Sequence, residues 1–220
     1  MKDLHAVRGR YRIQRLVDEG EHQQQDFKFL ISDARKIARS VSAFANRDGG
    51  RLLIGVKDNG TIAGVRNEED VYVVEQAAQR YCRPAQEVKF EAFKVDAGVV
   101  VIVATIERTD KRPVRVLEQD GRQRAYYRVA DENIAAHPLL ERAWELQAAE
   151  TTAPVMSLDG ATQSVLTAVD AATDGLEPEL VARQAHVSER TAADILARMM
   201  ALGVLELRYE RHRFVLHRAE

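Results

Sequence analysis

Residues 42–65 read SAFANRDGGRLLIGVKDNGTIAGV, and this stretch decides the fold predicted for the first part of the chain. Its first residues complete a helix predicted over residues 33–46, whose apolar side chains recur at helical spacing. The sequence NRDGG then ends that helix with turn-forming residues. The remainder predicts two short strands around Asp58, Asn59 and Gly60, because Asn-Gly between apolar runs is typical of a β-hairpin.

The segments on either side extend this mixture of helices and strands. Further helices are predicted over residues 3–18, 69–83 and 138–149, and further strands over residues 87–96, 99–107, 113–119 and 124–131. Ser32 is the predicted N-cap of the helix that begins at residue 33. Because most of the strands follow one another as hairpins, the pattern indicates an α+β fold with a mixed sheet and not a doubly wound parallel sheet.

A change in composition divides the chain into two predicted domains. Residues 148–160 lack a periodic apolar face, so they are predicted to form a linker between a first domain, residues 1–147, and a second, residues 161–220. The second domain is predicted to contain helices over residues 161–173, 177–185 and 188–203 and a two-stranded hairpin over residues 204–217. This order predicts a small winged helix-turn-helix domain.

The overall charge excludes one class of nucleic-acid-binding protein. Among 220 residues, 32 Lys and Arg stand against 34 Asp and Glu, which gives a formal net charge of −2. A uniformly basic protein that coats nucleic acid by bulk charge is therefore excluded, and any binding site must be a local patch. The hydrophobic share of 45% is large enough for a folded core.

Cysteine content and apolar runs predict the compartment. The single cysteine, Cys82, excludes an internal disulfide and a cysteine-based zinc site. The longest apolar run, residues 99–104, is too short to cross a bilayer, and the first residues lack the apolar core of a signal peptide. We therefore expect a cytoplasmic protein without a membrane segment.

Three carboxylates of the first domain are candidate ligands for Mg²⁺ or Mn²⁺. Glu21 and Asp26 lie five residues apart, and Asp58 lies in the predicted hairpin turn, so the three acids can converge on one cleft. Lys28 follows Asp26 closely enough to neutralise a phosphate beside the acids. The alternative is that Asp26 caps a strand, Asp58 forms the turn and Glu21 is solvated.

Basic side chains around the first two helices are candidate phosphate contacts. The residues predicted to bind nucleic acid here are Arg8, Arg12, Arg35, Lys36, Arg39, Arg47 and Arg51, with Arg10 and Arg15 in the same run. Such contacts give affinity that depends on salt and not on base sequence. The alternative is that these arginines form solvated helix faces, paired with Asp18, Glu19 or Asp33.

In the second domain, the helix capped by Ser188 is the predicted recognition helix. Its candidate DNA contacts are Arg190, Thr191 and Arg198, and those of the hairpin are Arg208, Arg211 and Arg213, beside His212. Glu189 and Asp194 place negative charge where DNA phosphates approach. The alternative is a domain that mediates dimerisation or docking of another protein.

The acidic and glycine-rich motifs together resemble the Schlafen-type AlbA domain, which is often described as DNA-binding. The residues that match its pattern are Glu21, Asp26, Phe27, Lys28, Phe44, Ala45, Asn46, Gly49, Gly50, Gly55 and Asp58. The later sequences RPVRV (112–116) and AYYRVADENIAA (125–136) resemble its closing strands, so the resemblance covers about residues 11–137. It implies an AlbA/Schlafen-like mixed sheet with helices and a nucleic-acid partner.

The resemblance also implies an alternative activity. In vertebrate Schlafen relatives the corresponding acids form a metal-dependent endoribonuclease site, which carries over to Glu21, Asp26 and Asp58 with Lys28 beside them. Two departures from the family pattern bear on that activity. Asp26 stands where Glu is usual, and residues 130–132 are Ala-Asp-Glu where Gly-Ser is usual.

The sequence therefore supports three hypotheses. The first is a nucleic-acid-binding protein that regulates transcription, with DNA favoured over RNA. The second is the metal-dependent endoribonuclease. The third is an interaction module whose winged helix forms a homodimer. The sequence has no glycine-rich phosphate-binding loop of the Gly-x4-Gly-Lys-Ser/Thr type that would support ATP binding.

Overall fold

The computed structural model describes residues 4–66, 69–149 and 156–219. The contacts divide the chain into two units, Met1–Ala136 and His137–Glu220. Helices and mixed sheets are both present, so the predicted α+β class is confirmed. In the described ranges, no helix combines the length and the apolar composition needed to cross a membrane.

The first unit contains two sheets. Its strands are β1 (Val7–Arg8), β2 (Gln25–Lys28), β3 (Gly50–Ile54), β4 (Cys82–Arg83), β5 (Val88–Asp96), β6 (Val99–Ile106), β7 (Arg115–Leu117), β8 (Gln123–Val129) and β9 (Glu132–Ala135). Five strands form one sheet in the order β1-β5-β6-β3-β2, and four form the other in the order β4-β7-β8-β9. The larger sheet is mixed, because β1 pairs with β5 and β2 pairs with β3 in parallel, whereas its other pairs are antiparallel.

The helices of the first unit pack on both faces of the larger sheet. They are α1 (Arg10–Asp18), α2 (Ala34–Asn46) and α3 (Glu69–Gln76), and a π-helical turn over Ala77–Tyr81 continues α3. Helix α2 shares one core with Leu52 of β3 and with Val116 of β7, so it packs against both sheets. Leu53 points to the opposite face and joins Ile13 of α1 in a smaller core. The alternation along β3 thus decides which helix each side chain contacts.

Three local predictions differ from the structure. The predicted hairpin is reduced to a short antiparallel turn, in which Val56 bridges Ile62 and the Lys57 N–H donates to the Thr61 carbonyl, whereas β3 itself pairs with β2 and β6. The backbone turns at Gly55, whose φ of +99° suits glycine and whose carbonyl accepts two backbone hydrogen bonds. The first helix begins at residue 10 and not at residue 3, because Val7 and Arg8 pair with β5. Helix α2 is capped by Asp33 and not by Ser32.

The second unit contains four helices and one hairpin in its described residues. They are α4 (Pro138–Ala149), α5 (Gly160–Asp170), α6 (Pro178–Gln184), α7 (Glu189–Ala201), β10 (Leu205–Glu210) and β11 (Arg213–Arg218). The division between the units falls at residue 137, whereas the sequence predicted a boundary after residue 147. Leu139 and Ala143 of α4 pack in one core with Leu196 and Leu216, which is why α4 lies with the second unit. Of the predicted linker, residues 150–155 lie outside the described residues.

Candidate nucleic-acid interface

Asp26 is a buried carboxylate that the protein itself neutralises. Its side chain on β2 is 4% exposed. The Lys28 ammonium lies 2.8 Å from Oδ2, and the guanidinium of Arg128, 1% exposed, lies 3.4 Å from Oδ1. The Ser40 hydroxyl also donates to Oδ2, at 3.3 Å. Lys28 is therefore already engaged by Asp26, and Arg128 and Ser40 are partners that sequence reasoning missed.

Glu21 forms a carboxyl pair with Asp26. Its Oε1 accepts a hydrogen bond of 2.7 Å from the backbone N–H of Phe27, and its side chain hydrogen-bonds to Asp26. Burial, followed by that hydrogen bond, raises the pKa of Glu21 to about 7. Burial would also raise the pKa of Asp26, but the hydrogen bond from Glu21 and the charge of Lys28 outweigh it and hold that pKa below its ordinary value. Below neutral pH the pair thus keeps one proton, on Glu21.

The shared proton makes stability depend on pH. Since the pKa of Glu21 is about 7 in the folded protein and about 4.5 when unfolded, the folded state binds the extra proton between these values. The resulting stabilisation is complete below about pH 4.5 and is lost as the pH rises through about 7. We expect the wild-type free energy of unfolding to fall by about 1 kcal/mol across this range, less than full linkage because Glu21 is only half-buried.

The variant Glu21→Gln is the matched test of this effect. Its amide oxygen can accept from Phe27 and its NH₂ can donate to Asp26, so it imitates the protonated acid without titrating. We expect its denaturant midpoint to change less than that of the wild type between about pH 5 and about pH 8. An equal pH dependence in both proteins would show that Glu21 is not the titrating group.

The structure does not bring Asp58 into this pair. Asp58 lies on an exposed turn, where it lines a shallow groove together with Lys28 and Phe29. Over the described residues, no group of three or more His, Cys, Asp or Glu side chains is placed to hold a metal ion. Because Asp26 already holds two cationic side chains, the three acids as arranged do not fit a Mg²⁺ or Mn²⁺ site.

Several of the predicted phosphate contacts in the first unit are engaged inside the protein. Arg12 pairs with Glu91, Arg39 with the buried Glu118, Arg47 with Asp48 and Arg51 with Glu19. Arg35 stacks over the ring of Tyr81 at 4.8 Å. Arg8 and Lys36 are exposed and form no ion pair with another described residue. The alternative of paired side chains therefore describes many of these arginines; of the four acids, Glu19 is one that was predicted, and Glu91, Glu118 and Asp48 are not.

In the second unit the predicted N-cap of α7 is confirmed, because the Ser188 hydroxyl accepts from the Thr191 N–H at 3.1 Å. Arg190 and Arg198 are exposed on α7, and Arg211 is exposed at the tip of the hairpin. None of these three arginines forms an ion pair with a residue in the described ranges. The two other predicted hairpin contacts have acidic partners: Arg208 pairs with Glu206, and Arg213 pairs with Glu177.

Helix α4 packs along one side of α7. Arg142 forms a close ion pair with Asp194, and the Gln147 amide donates to the carbonyl of Ala201 at 3.1 Å. Ala197 is fully buried. Asp194 thus carries its own counter-charge, which removes much of the phosphate repulsion expected from the sequence. The exposed cations of α7 are at its first turn and at Arg198.

Motif residues of the first unit have structural roles. A Cβ on Gly50 would lie 2.3 Å from the Phe44 ring, so this glycine permits close packing of β3 on α2. Gly49 has a φ of +70°, in the left-handed region that favours glycine. Asn46, at the end of α2, makes buried hydrogen bonds to the backbone of Val114 and Tyr126. The motif therefore fixes the packing of α2 between the two sheets.

Comparison with known proteins identifies the family. The family model described as Schlafen, AlbA_2 matches residues 21–137, more than half of the chain. The protein therefore belongs to this family, and the resemblance found in the sequence is confirmed. Membership suggests nucleic acid as the binding partner.

Other comparisons add less. No curated protein matches the chain. One solved structure, that of the DIP2311 protein from Corynebacterium diphtheriae, is 20% identical with a TM-score of 0.43. The match covers 88% of this chain and 34% of that one, so the chain spans about a third of the length of that protein.

Proposed function

We propose that the protein binds DNA and regulates transcription, with the second unit acting as a winged helix-turn-helix domain. Its family suggests nucleic acid. Support for the domain class comes from the order of α5, α6, α7 and the hairpin. Between α5 and α6, Leu176 exchanges two backbone hydrogen bonds with Leu216 of β11, at 3.1 and 2.8 Å. This bridge ties the hairpin beside the helices, an arrangement typical of winged helix-turn-helix domains.

The observation that carries the proposal is the set of exposed arginines without acidic partners in the described residues. Arg190 and Arg198 lie on α7, and Arg211 lies at the hairpin tip. A free guanidinium can take a phosphate or a guanine edge with two parallel hydrogen bonds. Residues at the start of a recognition helix are the ones that reach base edges in the major groove. Arg208 and Arg213, which are already paired, contribute less.

Replacing Arg190 and Arg198 together by Gln should weaken DNA binding. We expect the affinity for a duplex of about 30 base pairs to fall roughly tenfold or more at about 100 mM salt, and the log–log salt slope to decrease by about 1 to 2. Fluorescence anisotropy across a salt series measures both quantities. The loss has a direct cause, because each phosphate contact releases condensed counterions.

Two control variants make this test specific. Arg218→Gln removes a hairpin charge that already pairs with Asp170, and it should leave the affinity nearly unchanged. Glu189→Gln removes a negative charge beside Arg190, and it should raise the affinity. If the double variant binds like the wild type, α7 is not the DNA-reading helix. If the wild type shows no salt-dependent binding at about 50 mM salt, the proposed function is wrong.

The metal-dependent endoribonuclease is the second candidate, and the close pairing of Glu21 with Asp26 is the observation in its favour. It is less well supported because Lys28 and Arg128 already neutralise Asp26. The test is incubation with structured RNA and Mn²⁺, comparing the wild type with Glu21→Gln, which alters the pair, and with Asp58→Ala, which lies outside it. Cleavage that disappears in Glu21→Gln would establish the nuclease in place of the non-enzymatic regulator, and cleavage that survives this change would rule out the carboxyl pair as its site.

A further inference from the structure

A groove on the first unit gathers arginines from elements that are distant in sequence. It runs between α1, the turn before β3 and the end of β6. The arginines that line it are Arg12, Arg15, Arg51 and Arg108, and His22 also lies in the lining. Arg108 follows β6 and lies far from the basic run of α1 in the sequence, so only the fold brings these side chains to one groove.

Two of these arginines are held in place and two are free to bind. Arg12 donates twice to Glu91, at 3.0 and 3.3 Å, and its guanidinium stacks over Phe93 at 4.6 Å. Arg51 donates to Glu19 at 2.7 Å. Arg15 and Arg108 are exposed and make no ion pair with any residue that the structure describes.

The acids that line the groove do not cancel the charge of Arg15 and Arg108. They are Asp48 and Glu107. Asp48 lies 3.5 Å from the Arg47 guanidinium, and Glu107 forms a close ion pair with Lys89. Each acid therefore has a cation of its own, and the charges of Arg15 and Arg108 remain available to an anion.

Two glycines, Gly49 and Gly50, contribute backbone without a side chain to the lining of the groove. Gly49 turns the chain with a φ of +70°, and a Cβ at this position would lie 3.0 Å from the Ile106 carbonyl and 3.1 Å from the Arg108 nitrogen. Without that Cβ, the turn before β3 sits directly against the start of the Arg108 segment. Gln24 and Thr105 add polar side chains to the lining, and Leu16, Val103 and Ile106 add apolar ones.

We propose that this groove binds the phosphodiester backbone of a nucleic acid, with Arg15 and Arg108 each contacting a phosphate. The guanidinium fork matches the geometry of phosphate oxygens, so Arg15 and Arg108 can each hold a phosphate with parallel hydrogen bonds. The proposal rests on the proposed function and deepens it, because it assigns a sequence-independent contact to the first unit. Base reading stays with the second unit.

The decisive comparison is between the wild type and the double variant Arg15→Gln/Arg108→Gln. We expect its affinity for labelled duplex and single-stranded DNA to fall roughly tenfold at about 100 mM salt. The salt slope should decrease by about 1.8 for the duplex and about 1.4 for the single strand, as expected for two lost phosphate contacts. Both side chains are exposed, so circular dichroism should show an unchanged fold.

A second double variant controls for bulk charge. Arg122→Gln/Arg124→Gln removes the same charge at and beside the exposed turn between β7 and β8, where both arginines lie near Asp120. It should change affinity and slope little. An equal loss in the two double variants would overturn the groove as a specific site.

The remaining outcomes distinguish a failure of the groove proposal from a failure of the proposed DNA-binding function. Wild-type binding that the Arg15/Arg108 variant retains in full overturns the groove and leaves the proposed function standing. Absence of wild-type binding at about 50 mM salt overturns both. A third measurement is NMR titration with inorganic phosphate at constant ionic strength. If phosphate shifts the amide resonances of Gly49 and Arg108 but DNA does not, the groove binds a free phosphate and the assignment to nucleic acid is wrong.

Discussion

Replacing Arg128 by Met is expected to lower the free energy of unfolding by about 3–5 kcal/mol, since it leaves a buried carboxylate short of a partner. Arg128 donates to the Asn133 side chain at 3.0 Å and to the Gln25 carbonyl at 3.2 Å, besides pairing with Asp26. Methionine keeps much of the apolar stem but none of these donors. Asp26 would then keep Lys28 as its cation, together with the hydrogen bonds from Ser40 and Glu21.

The rate at which a thiol reagent labels Cys82 measures this loss of stability. Cys82 is fully buried, and burial raises the pKa of its thiol to about 12, so it is inert to thiol reagents in the folded protein. It is also the single cysteine of the chain. Its labelling rate therefore reports the opening of the first unit, and a loss of about 4 kcal/mol should raise that rate by about a thousandfold.

An exposed arginine serves as the control. Arg122→Met, on the turn between β7 and β8, should leave the labelling rate within about twofold of the wild type. If Arg128→Met changes the free energy of unfolding by less than about 1 kcal/mol, then Lys28 and Glu21 suffice to stabilise Asp26 and the expected role of Arg128 is wrong.

The strand that carries Asp26 was not predicted from the sequence, whereas neighbouring elements were. Strands β5 and β6 and helix α2 were predicted closely because their apolar side chains follow a clear period. Strand β2 was not predicted, since it is four residues long and includes the buried polar residues Gln25 and Asp26. Such a strand is stable because residues outside it form hydrogen bonds to its buried polar side chains. The Gln25 amide, for example, donates to the Leu16 carbonyl at 2.6 Å.

The missed strand changed the predicted topology. Because the sequence pattern does not predict β2, the two short strands within residues 51–65 are predicted to pair with each other as a hairpin. In the structure, β2, α2 and β3 form a parallel unit in which the helix connects two neighbouring strands. A parallel pairing of this kind depends on contacts across the intervening helix, which local turn signals such as Asn59-Gly60 do not report.

The candidate site was predicted in part for a related reason. Glu21 and Asp26 are near in sequence and do come together, whereas Asp58 lies on a short exposed turn whose position relative to the pair depends on the tertiary structure. The arginines of α1 and α2 are near one another in sequence, but Arg12 and Arg39 pair with Glu91 and Glu118, each 79 positions away. Which cations stay free for a ligand is therefore a property of the tertiary structure.

Asn46 illustrates how a motif residue acts through such distant contacts. It is 1% exposed at the end of α2. Its amide donates to the carbonyls of Val114 and Tyr126 at 2.9 and 2.8 Å, and its Oδ1 accepts from the Val114 N–H at 2.7 Å. One side chain thus satisfies three backbone groups of the smaller sheet, among them both polar groups of the fully buried Val114.

Asn46→Ala should consequently destabilise the first unit by about 3–4 kcal/mol, because the buried Val114 N–H loses its acceptor and the carbonyls of Val114 and Tyr126 lose the Asn46 amide, although the Val114 carbonyl keeps the Ser42 hydroxyl. Labelling of Cys82 again measures the change, with an expected increase of several hundredfold or more. Asn59→Ala, on an exposed turn where the side chain accepts only from the Thr61 N–H, is the matched control and should cost less than about 1 kcal/mol. Equal effects of the two substitutions would mean that water or a shifted backbone replaces the Asn46 hydrogen bonds, and that the motif asparagine does not hold α2 against the smaller sheet.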